Sequence, residues 1–480
     1  MCIFSNPGSL NASHVLQLFN LQDEQVQEIN ITHKKDGMYV YIKLAVVPHC
    51  CPVCDFKTKT IKGYTTKKIV HSLTTHVPCY ILYKARRFQC DACGKSFYEH
   101  NPFAYQNMKI SSLTVYNVLT DLKQPSETFT SVAHRYHISP TTAASLFDAH
   151  VFITRRKLPE VLCIDEVYGF SSNQSQYVCV LVDFKAQSTV DLLPSRKKED
   201  LLRYLRLIPL EERKQVKIVS IDMWLTYRII VKEMFPSAVV SLDKFHVYQE
   251  LLRKITLIRV QTMNKLRPTK VNIKSLSIQD KAAYEPRSNA YYLLKKFHWL
   301  LVKSTYKSQE FDEITNKKVS VDLLDPNAPR KFNRKLRRYA NLYEIKHMLL
   351  NLNDDLTTAI NLYYLLGQFY KKESYESAKE RLDELIHLFH NCGLPCMVDF
   401  SNTLKRWKKE IVNSFIIVDK ERNRKVNNGI IENRNKIIKQ MKHNSNGYRN
   451  WDRFRNRALY VLNEDTTYHL NPMGSHTNRK

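Results

Sequence analysis

The sequence predicts a multi-domain α/β protein, and three observations carry that reading. Between residues 156 and 250, continuous Val/Ile/Leu runs alternate with helical patterns, the mark of strands covered on both faces. A cysteine-rich block precedes them, and a long, basic stretch of helical periodicity follows from about 251 to 420. With 480 residues, 43% of them apolar, the chain can build at least one sizeable core and roughly two to four domains.

Charge narrows the partner. Lys plus Arg total 74 against 46 Asp plus Glu, a formal net charge of +28. Such an excess suits a polyanion, because cations that meet phosphates release condensed counterions. A ribosome-associated or membrane-surface protein would share the charge. No apolar run approaches the roughly 18 residues of a membrane span. The opening Met1-Cys2-Ile3-Phe4-Ser5 has no basic region followed by a long apolar stretch, so no secretory signal is expected. The 11 cysteines are odd in number and include two Cys-x-x-Cys pairs, which favours a reducing, cytoplasmic compartment and metal binding over disulfides. With only 10 glycines, a glycine-rich phosphate loop is not expected.

Residues 1–45 form an N-terminal segment in which Met38 to Ile42 alternate as a strand. Residues 46–104 read as a zinc ribbon. Cys51-Pro52-Val53-Cys54 and Cys90-Asp91-Ala92-Cys93-Gly94 are two knuckles, each able to aim both thiolates at one ion. The long gap between them holds two strand-like runs, Tyr80 to Tyr83 and Arg86 to Phe88. Four thiolates make a closed, structural zinc site; Cys50 or Cys79 could replace one ligand. Arg86, Arg87 and Lys95 beside the knuckles could meet DNA or form a solvated face.

Residues 105–155 read as a helix-turn-helix. Phe129, Val132, Ala133 and Tyr136 recur at helical spacing, and Ser139-Pro140 is an N-cap followed by proline at the first helical position. Ser139, Thr141 and Thr142 at the start of the second helix suit entry into a major groove; an ordinary helical hairpin has the same pattern.

Residues 156–250 and 416–463 are read as one domain, split by a helical insertion at 251–415 and followed by a tail, 464–480. Three strands, a helix, then strand–helix–strand is the order of an RNase H-like fold. Asp165 and Asp222 close apolar strands that this fold sets side by side. An acid there is costly to bury unless it meets a cation, so the pair implies a metal site. A third acid, Glu432, follows the turn signal Asn428-Gly429 and shares a helical face with Asn435, Lys436 and Lys439. Alone, it could simply pair with Lys436.

Together these segments resemble the DDE transposases of bacterial insertion sequences, of the ISL-three family. The resemblance rests on the cysteine ribbon, the helix pair, Ile164-Asp165-Glu166, Ser220-Ile221-Asp222-Met223 and Leu242-Asp243-Lys244-Phe245-His246-Val247. It continues in Asn428-Gly429-x-x-Glu432-x-x-Asn435-x-x-Ile438-Lys439, Asn446 to Trp451 and Phe454-Arg455-x-Arg457. Asn433 departs from the small residue found in many relatives.

The resemblance implies Asp165, Asp222 and Glu432 as the catalytic triad. They would hold two magnesium (or manganese) ions for DNA strand cleavage and strand transfer, distinct from the zinc. The implied partners are double-stranded DNA (terminal inverted repeats and target) and a second copy of the chain, in the bacterial cytoplasm on the nucleoid. Arg434, Asn435, Lys436, Lys439, Lys442, Arg449 and Arg455 beside Glu432 are expected to meet DNA. The basic run from Arg330 to Arg338, assigned to the helical insertion, could meet the element end or be a solvated helix face. Asp243 and His246 have no settled role. A DNA-binding regulator or domesticated transposase without catalysis would also explain the ribbon, helices and charge. It would leave the acids without a purpose. A junction resolvase would explain the acids and not the DNA-reading modules.

Overall fold

Strand alternation builds the first sheet. The structure, a computed structural model, describes residues 16, 19, 21–72, 76–105, 108–168, 170, 175–269, 277–312, 317–427 and 429–470. The expected cap residue Asn428 and tail positions 471–480 lie outside them, as does most of 1–20. Strands β1 (Val26–Lys34) and β2 (Gly37–Leu44) pair antiparallel. A Cβ at Gly37 would lie 2.5 Å from the Pro78 carbonyl oxygen, and its φ of +147° suits only glycine. After the short β3 (His49–Cys50) and β4 (Lys57–Thr58) come β5 (Ile61–Val70), β6 (Cys79–Gln89) and β7 (Ser96–Tyr98). The sheet order is β1-β2-β6-β5, with β7 on β6. Val40, Ile42, Ile69, Ile81 and Tyr83 pack one face against Phe103.

Three helices follow: α1 (Ser112–Asp121), α2 (Phe129–Arg135) and α3 (Pro140–His150). Thr128 and Ser131 form a reciprocal cap on α2, and the Ser139 hydroxyl accepts from the Thr142 N–H at the start of α3. His137, at φ +54°, makes the turn between them. These helices have no core of their own. Val118, Val132 and Phe147 belong to the same buried cluster as Phe454 and Tyr460 near the C-terminus and Val180 in the second sheet.

That second sheet is built from β8 (Val161–Tyr168), β9 (Tyr177–Asp183) and β10 (Ser188–Leu193), an antiparallel meander. Helices α4 (Lys198–Arg206) and α5 (Leu210–Lys214) lead to β11 (Ile218–Ile221); α6 (Leu225–Met234) leads to β12 (Val239–Leu242). The order is β10-β9-β8-β11-β12, with β11 parallel to both neighbours. Alternate residues serve two cores. Leu162, Ile164, Val219 and Ile221 face α4, α6 and the insertion, while Val161, Cys163 and Ile218 face the C-terminal helices.

The insertion begins with α7 (Lys244–Lys265) and α8 (Ile278–Lys296). Two hairpins interrupt its helical course: β13 (Lys307–Asp312) with β14 (Lys317–Asp322), and β15 (Lys331–Asn333) with β16 (Arg338–Ala340). Helices α9 (Leu342–Leu350), α10 (Asp354–Lys372), α11 (Ala378–Asn391), α12 (Pro395–Arg406) and α13 (Lys408–Asn413) complete it. The run from Arg330 to Arg338 is therefore a β-hairpin, not the helix face expected. The Asn333 side chain accepts from the Lys335 and Leu336 N–H groups, and Arg337 takes φ +50°, which together fold the chain back. After β17 (Ile417–Asp419) and β18 (Arg424–Lys425), α14 (Gly429–Asn444) and α15 (Trp451–Leu462) return to the second sheet. Among the described residues no helix is long and apolar enough to cross a membrane.

Candidate active site

The row of acids follows from strand register. Ser220 pairs with Cys163 on one side and Ser241 on the other. Two residues on, the same register sets Asp222 beside Asp165 and Asp243. Asp165 alternates to the face of Cys163, which α14 covers with Ile431, Ile438 and Met441, while Asp222 follows Ile221, the last residue of β11, where the charges of Glu166 and then Asp165 act on it. On α14, Asn435 is buried and its Nδ2 donates to Asp165 Oδ2 at 2.9 Å. Glu432 lies three residues earlier on the same helical face and is exposed. Its charge is felt by both Asp165 and His246.

The electrostatics describe a site short of positive charge. Burial pushes Asp165 up to about 6, against the pull of the Glu166 N–H and with help from the charges of Glu166, Asp243 and Glu432. Burial, then Glu166 and Asp165, pushes Asp222 to about 7. Asp222 Oδ1 and Asn435 Oδ1 are buried without a hydrogen-bond partner. Acids under burial and mutual repulsion, with oxygens left unpartnered, fit hard divalent cations. The three carboxylates do not gather within 4.8 Å as ligands of one ion would: among the described residues only the cysteines do.

Glu166, quoted in the sequence motif without a role, turns to the opposite face. It pairs with Arg196 and accepts from the Tyr227 hydroxyl at 3.2 Å. Arg196 in turn lies 3.9 Å over the Tyr177 ring and 5.1 Å over that of Trp224. Asp243 is buried, with its Oδ2 4.0 Å from His246 Nε2, and burial lowers the His246 pKa.

The residues expected at DNA divide in two. Lys436, Lys439 and Arg449 are exposed, as are Ser139 and Thr141, with Thr142 half-buried. Arg449 lines a cavity of about 590 Å³ between α2 and the loop joining α14 to α15, with Thr130, Ser131, His134 and Arg453. Lys442 sits 4.6 Å over the Tyr168 ring. The others have internal partners. Asn435 is held by Asp165, and Arg434 Nη2 donates to the Gln187 carbonyl at 2.6 Å. Arg455 donates to the buried Asp191 at 2.6 and 2.7 Å, tying α15 to β10.

The cysteines converge as the spacing predicts. Sγ atoms of Cys51 and Cys93 lie 3.6 Å apart, those of Cys54 and Cys90 3.5 Å, and all four within 4.8 Å. A tetrahedron with 2.3 Å bonds has edges of about 3.8 Å, so the donor set fits zinc. The two knuckles match: Asp55 N–H donates to the Cys51 carbonyl, and Gly94 N–H to the Cys90 carbonyl. Asp55 and Gly94 both take positive φ, +53° and +70°. Cys50 is exposed outside the cluster, and Cys79 opens β6 at the other end from Cys90. Arg86 is fully buried, paired to Glu99 at 3.0 Å, so it braces the sheet and is closed to DNA.

A family model described as a transposase, of the ISL3 DDE type, matches residues 162–458, more than half the chain and all of β8 to α14 but one residue of β8. The chain belongs to the ISL3 family of DDE transposases. A second model, described as the zinc-finger of transposase IS204/IS1001/IS1096/IS1165, matches residues 47–93, which hold all four clustered cysteines. The protein is thus a DNA transposase with a zinc ribbon. A comparison with curated proteins gave no match. Among solved structures, the Drosophila P element transposase strand transfer complex aligns at 12% identity. The alignment covers 75% of this chain and 93% of that one, with a TM-score of 0.34, too low to bear on the fold.

Proposed function

We propose that this transposase binds the ends of its insertion sequence and cuts and joins DNA at Asp165, Asp222 and Glu432. The observation that carries the reading is the pair of raised carboxylates, Asp165 within β8 and Asp222 just past the end of the neighbouring parallel β11, with Asp222 Oδ1 left unpartnered. The 3-2-1-4-5 strand order, three antiparallel and the last two parallel, supports an RNase H-like catalytic core. The α2–turn–α3 pair, with the exposed Ser139 and Thr141 at the start of α3, supports a helix-turn-helix that reads the element end.

Two magnesium or manganese ions held by the triad would activate the attacking water or 3′-hydroxyl and steady the leaving oxygen. The chain's own work is placement. Asp165 is fixed by Asn435 Nδ2 and the Glu166 N–H, which accounts for both of its oxygens. Glu432 rides on a helix locked by the same bond. Lys436 and Lys439, exposed on that helix, can meet the phosphates that flank the reacting one. Two element ends must be held together, so a homodimer or larger assembly on nucleoid DNA belongs to this reading.

The test is metal-dependent nicking and strand joining on DNA that carries the sequences flanking the transposase gene. Nicking and joining with magnesium, and neither in chelator, is the expected result. Tight binding without cutting would turn the reading to a DNA-binding regulator. Cutting without joining would turn it to a nuclease.

A further inference from the structure

The hairpin β15–β16 carries an unusual surface. Phe332 and Tyr339 pair across its strands, ring centroids 5.2 Å apart, and remain 54% and 66% exposed. Two adjacent aromatic rings left in water are costly unless something covers them. The other face of the ribbon is anchored. Ala340 is buried, Asn333 Nδ2 donates to the Tyr292 hydroxyl at 3.5 Å, and Lys335 Nζ donates to Ser288 Oγ at 2.8 Å. Lys331 and Arg338, which alternate to the face of Ala340 and Asn333, and Arg334 in the turn are exposed, and none makes an ion pair within 4.0 Å among the described residues, although the Arg338 charge acts on Glu344. Arg330 and Arg337 do, with Glu344 and Glu285.

We propose that this hairpin is a second DNA-contact element, in which Lys331, Arg334 and Arg338 meet phosphates while the Phe332–Tyr339 pair packs into a groove of duplex DNA. The inference rests on the reading of the chain as a DNA-binding transposase. Charge complementarity names the partner: a two-stranded ribbon, a shape that a major groove admits, presents an aromatic pair on one face and carries exposed cations on its other face and in its turn. The hairpin's position makes it distinct from the catalytic pocket. It sits on α8, whose Arg287 Nη2 donates to the Lys265 carbonyl at the far end of α7 from Asp243. With 22 residues at about 1.5 Å each, α7 sets that end about 33 Å away, roughly ten base pairs along a duplex. Contact there would lengthen the bound track and fix its direction across the active site.

The experiment measures binding of the full chain to a duplex of about four helical turns, roughly 40 base pairs, over a range of salt. A second arm uses the same duplex with a short single-stranded gap. Two variants are compared with wild type, Phe332→Ala/Tyr339→Ala and Lys331→Gln/Arg334→Gln/Arg338→Gln. All five side chains are exposed, so unchanged thermal unfolding is expected. The cation variant should lower the salt slope of log K by about 0.9 for each phosphate it no longer neutralises, roughly two to three in all. The aromatic variant should lose about ten-fold in affinity on the intact duplex and keep the wild-type slope. A loss seen only on the gapped duplex would overturn the groove contact in favour of stacking on unpaired bases. If wild type binds and both variants match it, the hairpin proposal fails alone. If wild type does not bind, this proposal and the reading it rests on both fail.

Discussion

The transposase holds two groups of candidate metal ligands built on opposite plans. In the ribbon, four thiols from two matching knuckles stand within 4.8 Å of one another. Its backbone turns, with Asp55 and Gly94 at positive φ, are made locally by a few residues each. In the second sheet, Asp165, Asp222 and Glu432 come from two strands and a distant helix, spread wider, with one acid exposed. A closed donor set suits a structural ion; an open one leaves room for substrate oxygens and water. The ribbon brings its four donors together on two knuckles, whereas the acids come from segments far apart in the chain.

Removing the ribbon's ion should give the largest effect. Cys90→Ser is expected to abolish zinc binding, at a cost on the order of 10 kcal/mol to the folded ribbon. Metal analysis and limited proteolysis within residues 47–98 check this, with the second sheet still protected. Retained zinc and a protected ribbon would erase the contrast.

A smaller effect isolates placement within the open site. Asn435→Ala removes the 2.9 Å bond that orients Asp165. Cleavage should fall about ten- to hundred-fold, as for outer partners of metal ligands, with DNA affinity little changed. A matching loss of affinity would return Asn435 to the DNA-contacting set.

Smallest is a pH effect on stability. Folded, metal-free Asp165 and Asp222 titrate at about 6 and 7, above the ordinary 3.8. The folded chain therefore holds protons that the unfolded chain has released between about pH 4 and 7. The stability these acids contribute is present below about pH 4 and lost as pH rises through 6 and 7. Magnesium should restore it, raising Tm by about 2–4 °C per kcal/mol regained, more at pH 8 than at pH 5.5. Equal magnesium shifts at both pH values would argue against metal at these acids.

Much of this was legible in the sequence because it depends on short-range pattern. The buried strands show as continuous apolar runs, the ribbon as two Cys-x-x-Cys pairs, and α3 by Ser139-Pro140. What escaped depends on tertiary partners. Asn435 and Arg455 sit among cations on helices and read as DNA contacts, yet their amide and guanidinium meet Asp165 and Asp191 from remote strands. Arg86 read as ribbon surface but is buried against Glu99. The 330–338 hairpin was hidden because Lys, Arg and Leu favour helices, and its turn rests on Asn333 and an arginine at positive φ. The row of Asp165, Asp222 and Asp243 needs strand register, which spacing alone does not give.

The most direct measurement is cleavage by Asp222→Asn alongside its metal-free stability. Replacing the Asp222 carboxylate, raised by burial and by the charges of Glu166 and Asp165 and with one oxygen unpartnered, with a neutral amide should raise stability by about 1–2 kcal/mol and leave DNA binding intact. Magnesium-dependent cutting should fall by about a thousand-fold or more. Cutting at the wild-type rate would contradict the assignment of the carboxylate row as the catalytic centre.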